Sequence, residues 1–412
     1  MKASTVADRV SKKAIIGVIV SALGFFVDLY DIIIFSAERV DSFRSLGIPE
    51  IEWPVHTRNI LNAQMLGMLI GGFLWGTIGD KLGRLKVLFG SILMYSLFTL
   101  LNAFVKDVDS YMWCRFLAGL GLAGELGAGI TLVSEQIPGK YRGLAVALVG
   151  GIGMFGAVTA GIVATFFSWQ TSFIIGGILG VVLLLLRFSV VESGLFTNMG
   201  EQKVSKGNFM IILRSRRRSW RFLCVLLVGM PGWFATGVLI TFTREIAGSM
   251  GMSTLPVAAT VISFNFLGFA FGDPLCGLLS QYLKSRKKAI FIFLASYSLF
   301  IVLFFLFARH SLFLYYLFFA FMGLSVGFTI MLLTLTAEQF GTNIRTLVTS
   351  SALNLIRGWV IPLSFAFQWV AALFNGNYYY SAVVIAITAL GIAFFALSQL
   401  EETYNKNLDF YE

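Results

Sequence analysis

Charge is scarce in this chain. Asp, Glu, Lys and Arg make up 13% of its 412 residues, where soluble domains run near a quarter. Only two histidines are present, His56 and His310, and both fall in expected connections. The three cysteines, Cys114, Cys224 and Cys276, lie within or beside apolar runs. Their odd number and spacing exclude a disulfide framework and a zinc site. No nucleophile–base arrangement and no metal cluster can be assembled, so the chain reads as a non-enzyme with no cofactor and no metal. Short alternating strands, the mark of a membrane barrel, are also missing. The first apolar run carries Asp28 and Asp31 and lacks a small-residue cleavage site, so it does not read as a removed signal peptide.

What the chain has in excess is apolar length. Hydrophobic residues are 57% of it, with 41 Phe and 42 Gly, and mean hydropathy is +0.83. A helix of about twenty apolar residues crosses a hydrocarbon core of about 30 Å, and such runs recur near 14–35, 58–78, 87–105, 111–133, 144–167, 171–188, 222–243, 255–279, 289–308, 312–336, 347–374 and 379–399. Helices satisfy their own backbone in lipid. The expectation is therefore an all-α membrane protein with twelve transmembrane helices in two six-helix bundles, 1–188 and 222–412, joined by a cytoplasmic linker at 189–221. The other long connection is 37–57, with Pro49 and Pro54.

Lysine and arginine alternate sides. One side collects the basic N-terminus, Lys81–Lys86, Lys140 with Arg142, the Arg214–Arg221 region and Lys284–Lys288; the other holds only Arg39, Arg44, Arg58, Lys106, Arg244 and Arg309. Positive loops stay inside, which puts both termini in the cytoplasm of a multi-pass protein of a bacterial inner membrane. The net charge of +10 is then an orientation signal and an attraction to anionic membrane lipid, with no nucleic-acid partner implied.

The two halves echo one another. Glu135 and Arg142 are seven residues apart, as are Glu338 and Arg345; Gly72–Gly76 before Lys81 resembles Gly272–Gly277 before Lys284. A parallel repeat of this kind points to a pseudo-two-fold axis along the membrane normal, with substrate held between the halves near the midplane.

Gly76-Thr-Ile-Gly-Asp80-Lys-Leu-Gly83-Arg84, between the second and third runs, resembles the G-x-x-x-D-x-x-G-R loop of the major facilitator superfamily. With the span count and the repeat, the resemblance covers essentially the whole chain. More narrowly, Arg115-Phe-Leu-Ala-Gly119 through Glu125, then Glu135-x-x-Pro138 and Arg142-Gly143, resembles the metabolite:proton symporters of that superfamily. Glu192-Ser-Gly-Leu-Phe196 is similar to their E-S-P-x-F, with Gly in place of Pro. A further likeness, through Leu29-Tyr30-Asp31 and Gly121–Gly129, is to the phagosomal amino-acid transporters of intracellular bacteria. There are departures: the second-half counterpart of the Asp80 loop has Gln281, Lys284 and Ser285 at its key positions, and Gly150–Gly161 lacks the proline of the drug antiporters. The latter tilts the reading toward symport or facilitated uptake.

A charge at membrane depth costs about 2.5–3.5 kcal/mol on insertion scales and marks a cavity, a partner or a pathway. Asp28 and Asp31, three residues apart, share one face of the first helix. They read as proton carriers or as an anchor for a substrate ammonium, against a hydrated Asp31 at the interface. Arg115 reads as a partner for Asp31 or an aid to proton release, and Glu125 as a coupling carboxylate or a static fastener. Arg357 can grip a substrate carboxylate with two bonds, or pair with an acid of the first half. Asn354, Asn265, Asn62 and Gln64 are candidates for substrate hydrogen bonds. Gly76, Asp80, Gly83, Arg84, Glu135, Arg142, Asp273, Glu338 and Arg345 are assigned to gating, with Glu135–Arg142 and Glu338–Arg345 as pairs. The Met230-Pro231-Gly232-Trp233 break reads as a flexible gate, and Gly153–Ala157–Gly161 as a packing seam.

The expected function is alternating-access, proton-coupled symport of a small carboxylate-bearing metabolite such as an amino acid or organic acid, by a monomer whose partners are that substrate, protons and lipid. Export of a polycarboxylate such as a siderophore, and a non-transporting membrane sensor, stand as alternatives.

Overall fold

The computed structural model describes residues 12–82, 84–125, 139–187, 214–340 and 345–404. Among the described residues there is no strand. The first half contributes α1 (Lys12–Ser45), α2 (Trp53–Leu82), α3 (Arg84–Asn102), α4 (Val108–Leu122), α5 (Gly139–Phe166) and α6 (Trp169–Arg187). The second contributes α7 (Arg216–Phe234), α8 (Thr243–Ser249), α9 (Ala258–Leu283), α10 (Arg286–Phe307), α11 (Leu312–Val326), α12 (Thr329–Gln339), α13 (Arg345–Gly358), α14 (Val360–Leu373) and α15 (Tyr378–Gln399). Nine stretches among the described residues are long and apolar enough to cross a membrane. Short polar caps close several of the connections. Asp107 accepts the Ser110 N–H at 2.8 Å to start α4, and Asn377 accepts the Tyr379 and Tyr380 N–H groups at 3.0 and 3.2 Å to start α15.

Each half packs by the same scheme. α2 lies along α4 and α9 along α11; α3 touches α4 and α6, and α10 touches α11 and α15. The reason is glycine on both faces of the seam. A Cβ at Gly67 or Gly71 would collide with the carbonyls of Phe116 or Leu120, and one at Gly268 or Gly272 with those of Ala320 or Leu324. The partner helices reciprocate, Gly119 against the Gln64 carbonyl and Gly323 against that of Asn265. Backbones therefore meet directly, as small residues permit between membrane helices. The fourth and tenth spans also break at equivalent points, α4 ending at Leu122 and α11 at Val326.

The halves meet through α5 against α9 and through α2 against α13 and α14, exchanged pairs of one two-fold arrangement. Gly161, in the expected small-residue seam, lies against Ala259 and Ser263 of α9. Two connections are shorter than the sequence predicts. The 37–57 segment is helical to Ser45 and again from Trp53, which takes in His56. Glu38, Arg39 and Ser42 are fully buried there with polar partners, so the helix continues past its apolar run. α7 begins at Arg216, inside the segment expected as linker. After Pro231 the chain passes into a π-helical turn, Ala235–Leu239, and then α8, so the seventh span is interrupted where the sequence places a break.

Candidate functional site

Three buried arginine–carboxylate pairs surround α1. Arg357 Nη2 of α13 donates to Asp28 Oδ2 at 3.1 Å, crossing from the second half to the first. Both side chains are almost wholly buried, at 2% and 0% exposure. One helical turn along, Asp31 is held inside the first half. Thr99 Oγ1 donates to its Oδ1 at 2.5 Å, and Arg115 Nη1 lies 3.3 Å from its Oδ2. Gln64 Nε2 donates to the Asp31 carbonyl at 3.4 Å, and Arg115 is stacked over Phe173. The third pair, Glu125 with Arg187 at the end of α6, lies against Gly24.

These charges survive in an apolar interior because each guanidinium faces a carboxylate; a lone buried ion costs several kcal/mol. The pairing is incomplete, however. Among the described residues, Arg357 Nε and Nη1, Asp28 Oδ1, Asn62 Nδ2, Gln64 Oε1 and Asn354 Oδ1 are buried with no hydrogen-bond partner. Unsatisfied buried polar groups are rare and call for an explanation. Here they come from α1, α2 and α13, elements of both halves. Asn354 reaches Gly72 of α2, and the Trp233 ring lies 5.8 Å from the Arg357 guanidinium carbon. Asn265, by contrast, donates to the Phe319 carbonyl at 3.1 Å and so fastens α9 to α11 within the second half.

One end of the interface is bolted across the halves. Arg39 Nη1 and Nη2 donate to Glu245 Oε1 and Oε2 at 2.8 and 2.6 Å, and Ser36 and Thr241 share a hydrogen bond of 2.8 Å. Beside them Arg58 donates to Gln368 at 2.7 Å, Gln368 donates to the Pro54 carbonyl at 2.5 Å, and Ser364 donates to Asn62 at 2.8 Å. At the opposite end the described polar contacts each join elements of one and the same half. Arg286 pairs with Glu338 at 3.2 Å, and Thr403 Oγ1 donates to Glu338 at 2.6 Å. Arg345, the partner expected for Glu338, starts α13, but its side chain lies outside the described residues. Asp273 accepts the Ile330 N–H at 3.2 Å, capping α12 where the tenth span breaks.

Of the other gating candidates, Gly76 and Asp80 lie in the last turns of α2, Arg84 opens α3 and Arg142 lies in α5, with side chains outside the described residues; Gly83 and Glu135 are outside them altogether. Sequence reasoning did not find Glu245, Arg187 as a pair-forming residue, or the buried Glu38, which accepts a 2.5 Å hydrogen bond from Ser172. Arg187 ends an apolar run, as an orientation charge would, and the only local signal for Glu245 is an acid beside a span end.

Two repeated helical bundles with ionised groups along the plane where they meet have the fold of secondary transporters. A family profile described as Major Facilitator Superfamily matches residues 14–365, and this chain belongs to that superfamily, whose members are transporters rather than enzymes. A Bacillus subtilis (strain 168) protein named for niacin and nicotinamide transport is 29% identical over 203 residues, 48% of each chain. This chain thus spans about half the length of that relative. The sialic acid transporter NanX of Escherichia coli (strain K12) is 25% identical over 342 residues, 81% of each chain. The crystal structure of a D-xylose-proton symporter superposes with a TM-score of 0.73 over 95% of this chain and 98% of that one, at 16% identity, a likeness of fold.

Proposed function

We propose that this protein is a secondary transporter that carries a small carboxylate-bearing metabolite together with a proton, by alternating access. The observation that carries this reading is the Arg357–Asp28 pair across the halves, with guanidinium N–H groups left over beside it. A substrate carboxylate matches a guanidinium as well as Asp28 does. When it takes Arg357, Asp28 is left inside a low-dielectric interface without its cation, and a proton neutralises it. One carboxylate and one proton then move as a neutral sum, and neither leaves the charge balance satisfied alone. Niacin and sialic acid, named for two relatives, both carry a carboxylate without an α-ammonium group, which favours an organic acid over an amino acid. Trp233 beside Arg357 offers a ring-bearing substrate an aromatic face.

The orientation read from lysine and arginine sets the Arg39 end outside an inner membrane and both termini in the cytoplasm. The structure is then the state closed to the outside. One chain supplies both lobes, 1–188 and 222–412 on either side of the 189–221 linker, so a monomer forms the complete pathway. Basic residues at the α7 start contact anionic lipid. In this reading Glu338 and Arg345, with Glu135 and Arg142 and the Asp80–Arg84 loop, control the cytoplasmic face.

The test is uptake into proteoliposomes under an imposed pH gradient, screened over aromatic, sugar and amino acids. Wild-type protein should accumulate one class of carboxylate only with the proton gradient, Arg357→Ala should lose binding, and Asp28→Asn should keep exchange but lose accumulation. Accumulation that ignores the gradient, or unchanged affinity in Arg357→Ala, overturns the reading.

A further inference from the structure

Arg58 of α2 differs from Arg39 and Arg357 in facing no carboxylate among the described residues. Its side-chain partners there are the Asn59 oxygen, 3.3 Å from Nε and 3.2 Å from Nη2, and Gln368 Oε1 of α14, 2.7 Å from Nη1. A guanidinium carries five N–H donors, and these contacts use three of them. The guanidinium carbon lies 4.7 Å from the centre of the Phe365 ring. Beside it opens a cleft of about 620 Å³, lined by Arg58, Phe365, Ala366, Gln368 and Trp369.

This cleft is on the flank of the molecule, near the helix ends. Phe365, Trp369 and Leu373 are 50, 67 and 62% exposed, and their spacing of four residues makes one apolar stripe along α14. Leu66, Ile70 and Phe73 form a similar exposed stripe along α2. Stripes of this kind on membrane helices face hydrocarbon. Arg58 is five residues, about 7.5 Å, from the start of α2 at Trp53, and Trp369 is four residues, about 6 Å, from the end of α14 at Leu373. The neighbouring Thr57 is bonded to Arg39, so this is the Arg39 end. Both side chains therefore reach headgroup level, where Trp and Arg settle in membrane proteins. A guanidinium with spare donors suits a phosphate, and exposed rings beside it suit an acyl chain. A soluble anion would use only the first, and a neutral lipid only the second.

We propose that this cleft holds an anionic glycerophospholipid of the leaflet at the Arg39 end, with its phosphate on Arg58 and a chain along Phe365 and Trp369. Gln368 already clasps the two helices here, accepting from Arg58 and donating to the Pro54 carbonyl at 2.5 Å. Since α2 and α14 belong to opposite lobes, a lipid with its phosphate on one and its chain on the other bridges them. It stabilises the state closed at this end. The inference stands whether or not transport is coupled to protons.

The test uses the full chain, delipidated in detergent and titrated with phosphatidylglycerol, with bound lipid counted by native mass spectrometry. Wild-type protein should keep one lipid at a collision energy that strips the others. Arg58→Gln should weaken that binding about tenfold, as loss of one charge-assisted hydrogen bond does, and Arg58→Lys should weaken it less. Trp369→Ala, exposed and outside the Gln368 clasp, should also weaken it. Arg44→Gln, an exposed arginine at the same end that pairs with Asp41, should change nothing. Neither diacylglycerol of the same chains nor glycerol phosphate should compete. Phosphatidylglycerol should also raise the melting temperature of wild type more than that of Arg58→Gln. Undiminished binding in Arg58→Gln or Trp369→Ala, equal weakening in Arg44→Gln, or displacement by diacylglycerol or glycerol phosphate overturns the site.

Discussion

Replacing Glu245 by Gln should unbolt the Arg39 end. Arg39 is fully buried and Glu245 is 12% exposed, so water offers the guanidinium little compensation. Its two bonds to the carboxylate, 2.8 and 2.6 Å, are joined by one to Thr57 at 3.1 Å and by the Phe242 ring. Glutamine keeps the volume and one acceptor oxygen but leaves a buried cation facing a neutral amide. Truncating one partner of such a pair costs roughly 2–4 kcal/mol. Because the pair joins opposite lobes, that loss falls on the closed state alone. At about 1.4 kcal/mol per factor of ten, the open fraction rises about 30- to 700-fold. Ser364, buried just inside the bolt and bonded to Asn62, is a suitable reporter. As Ser364→Cys, in a background without Cys114, Cys224 and Cys276, its labelling by a membrane-impermeant thiol reagent in intact cells should accelerate by that factor in Glu245→Gln. Arg39→Glu with Glu245→Arg should restore slow labelling. Labelling that is indifferent to Glu245→Gln, or a charge-exchanged pair as fast as the single variant, would refute the reasoning.

Other perturbations separate structure from coupling. Arg115→Ala strands Asp31 in the first lobe and should cost about 3–5 kcal/mol, read as a lowered melting temperature in detergent; adding Asp31→Asn should recover part of it. Gly71→Val forces a branched side chain onto the Leu120 carbonyl and should abolish a monodisperse peak in size-exclusion chromatography, while Gly277→Ala, with open space around it, should not. Glu402 follows α15, outside the spans. Burial pushes its carboxyl up, but the Ser285 hydroxyl and the Arg286, Tyr404 and Thr403 N–H groups outweigh this and hold it below the ordinary carboxylate value. A group depressed in the folded state stabilises above its unfolded value and loses that contribution as pH falls through the folded one. Melting temperature should therefore drop as pH is lowered to about 4 and below, and Glu402→Gln should flatten that part of the profile.

The parts of this molecule legible in its sequence are those set by short-range pattern. Runs of apolar residues place the helices because lipid demands about twenty of them. The return of Gly72–Gly76 as Gly272–Gly277 marks corresponding helices, but the seam itself uses Gly67 and Gly71 in one half and Gly268 and Gly272 in the other, while Gly72 faces Asn354 and Gly277 open space. Asp31 and Arg115 could be matched because both lie at the same depth in neighbouring spans of one lobe. Arg39 and Glu245, or Asn62 and Ser364, could not, since their partners are 206 and 302 positions away and nothing local fixes how one lobe is rotated on the other. Length was misjudged where polar residues are buried. Glu38, Arg39 and Ser42 look like a loop in composition, yet each finds a partner, and α1 runs on to Ser45. Arg187 carries the same local signal whether it reaches toward a headgroup or turns inward to Glu125.

The glycine contacts that knit α2 to α4 and α9 to α11 have a mechanical consequence. With carbonyls touching across each pair, neither lobe can flex along that line without opening voids that nothing fills, so each behaves as a stiff jaw. Between the jaws such a backbone contact recurs where Gly161 of α5 meets Ala259 of α9. The described polar links there are ion pairs and hydrogen bonds, which in the transport proposed above an incoming anion or a proton replaces one for one. In the transport cycle proposed above, strain put into the molecule at Arg357 would then surface as a tilt of one jaw on the other, felt most at the distant rim where Arg39 holds Glu245.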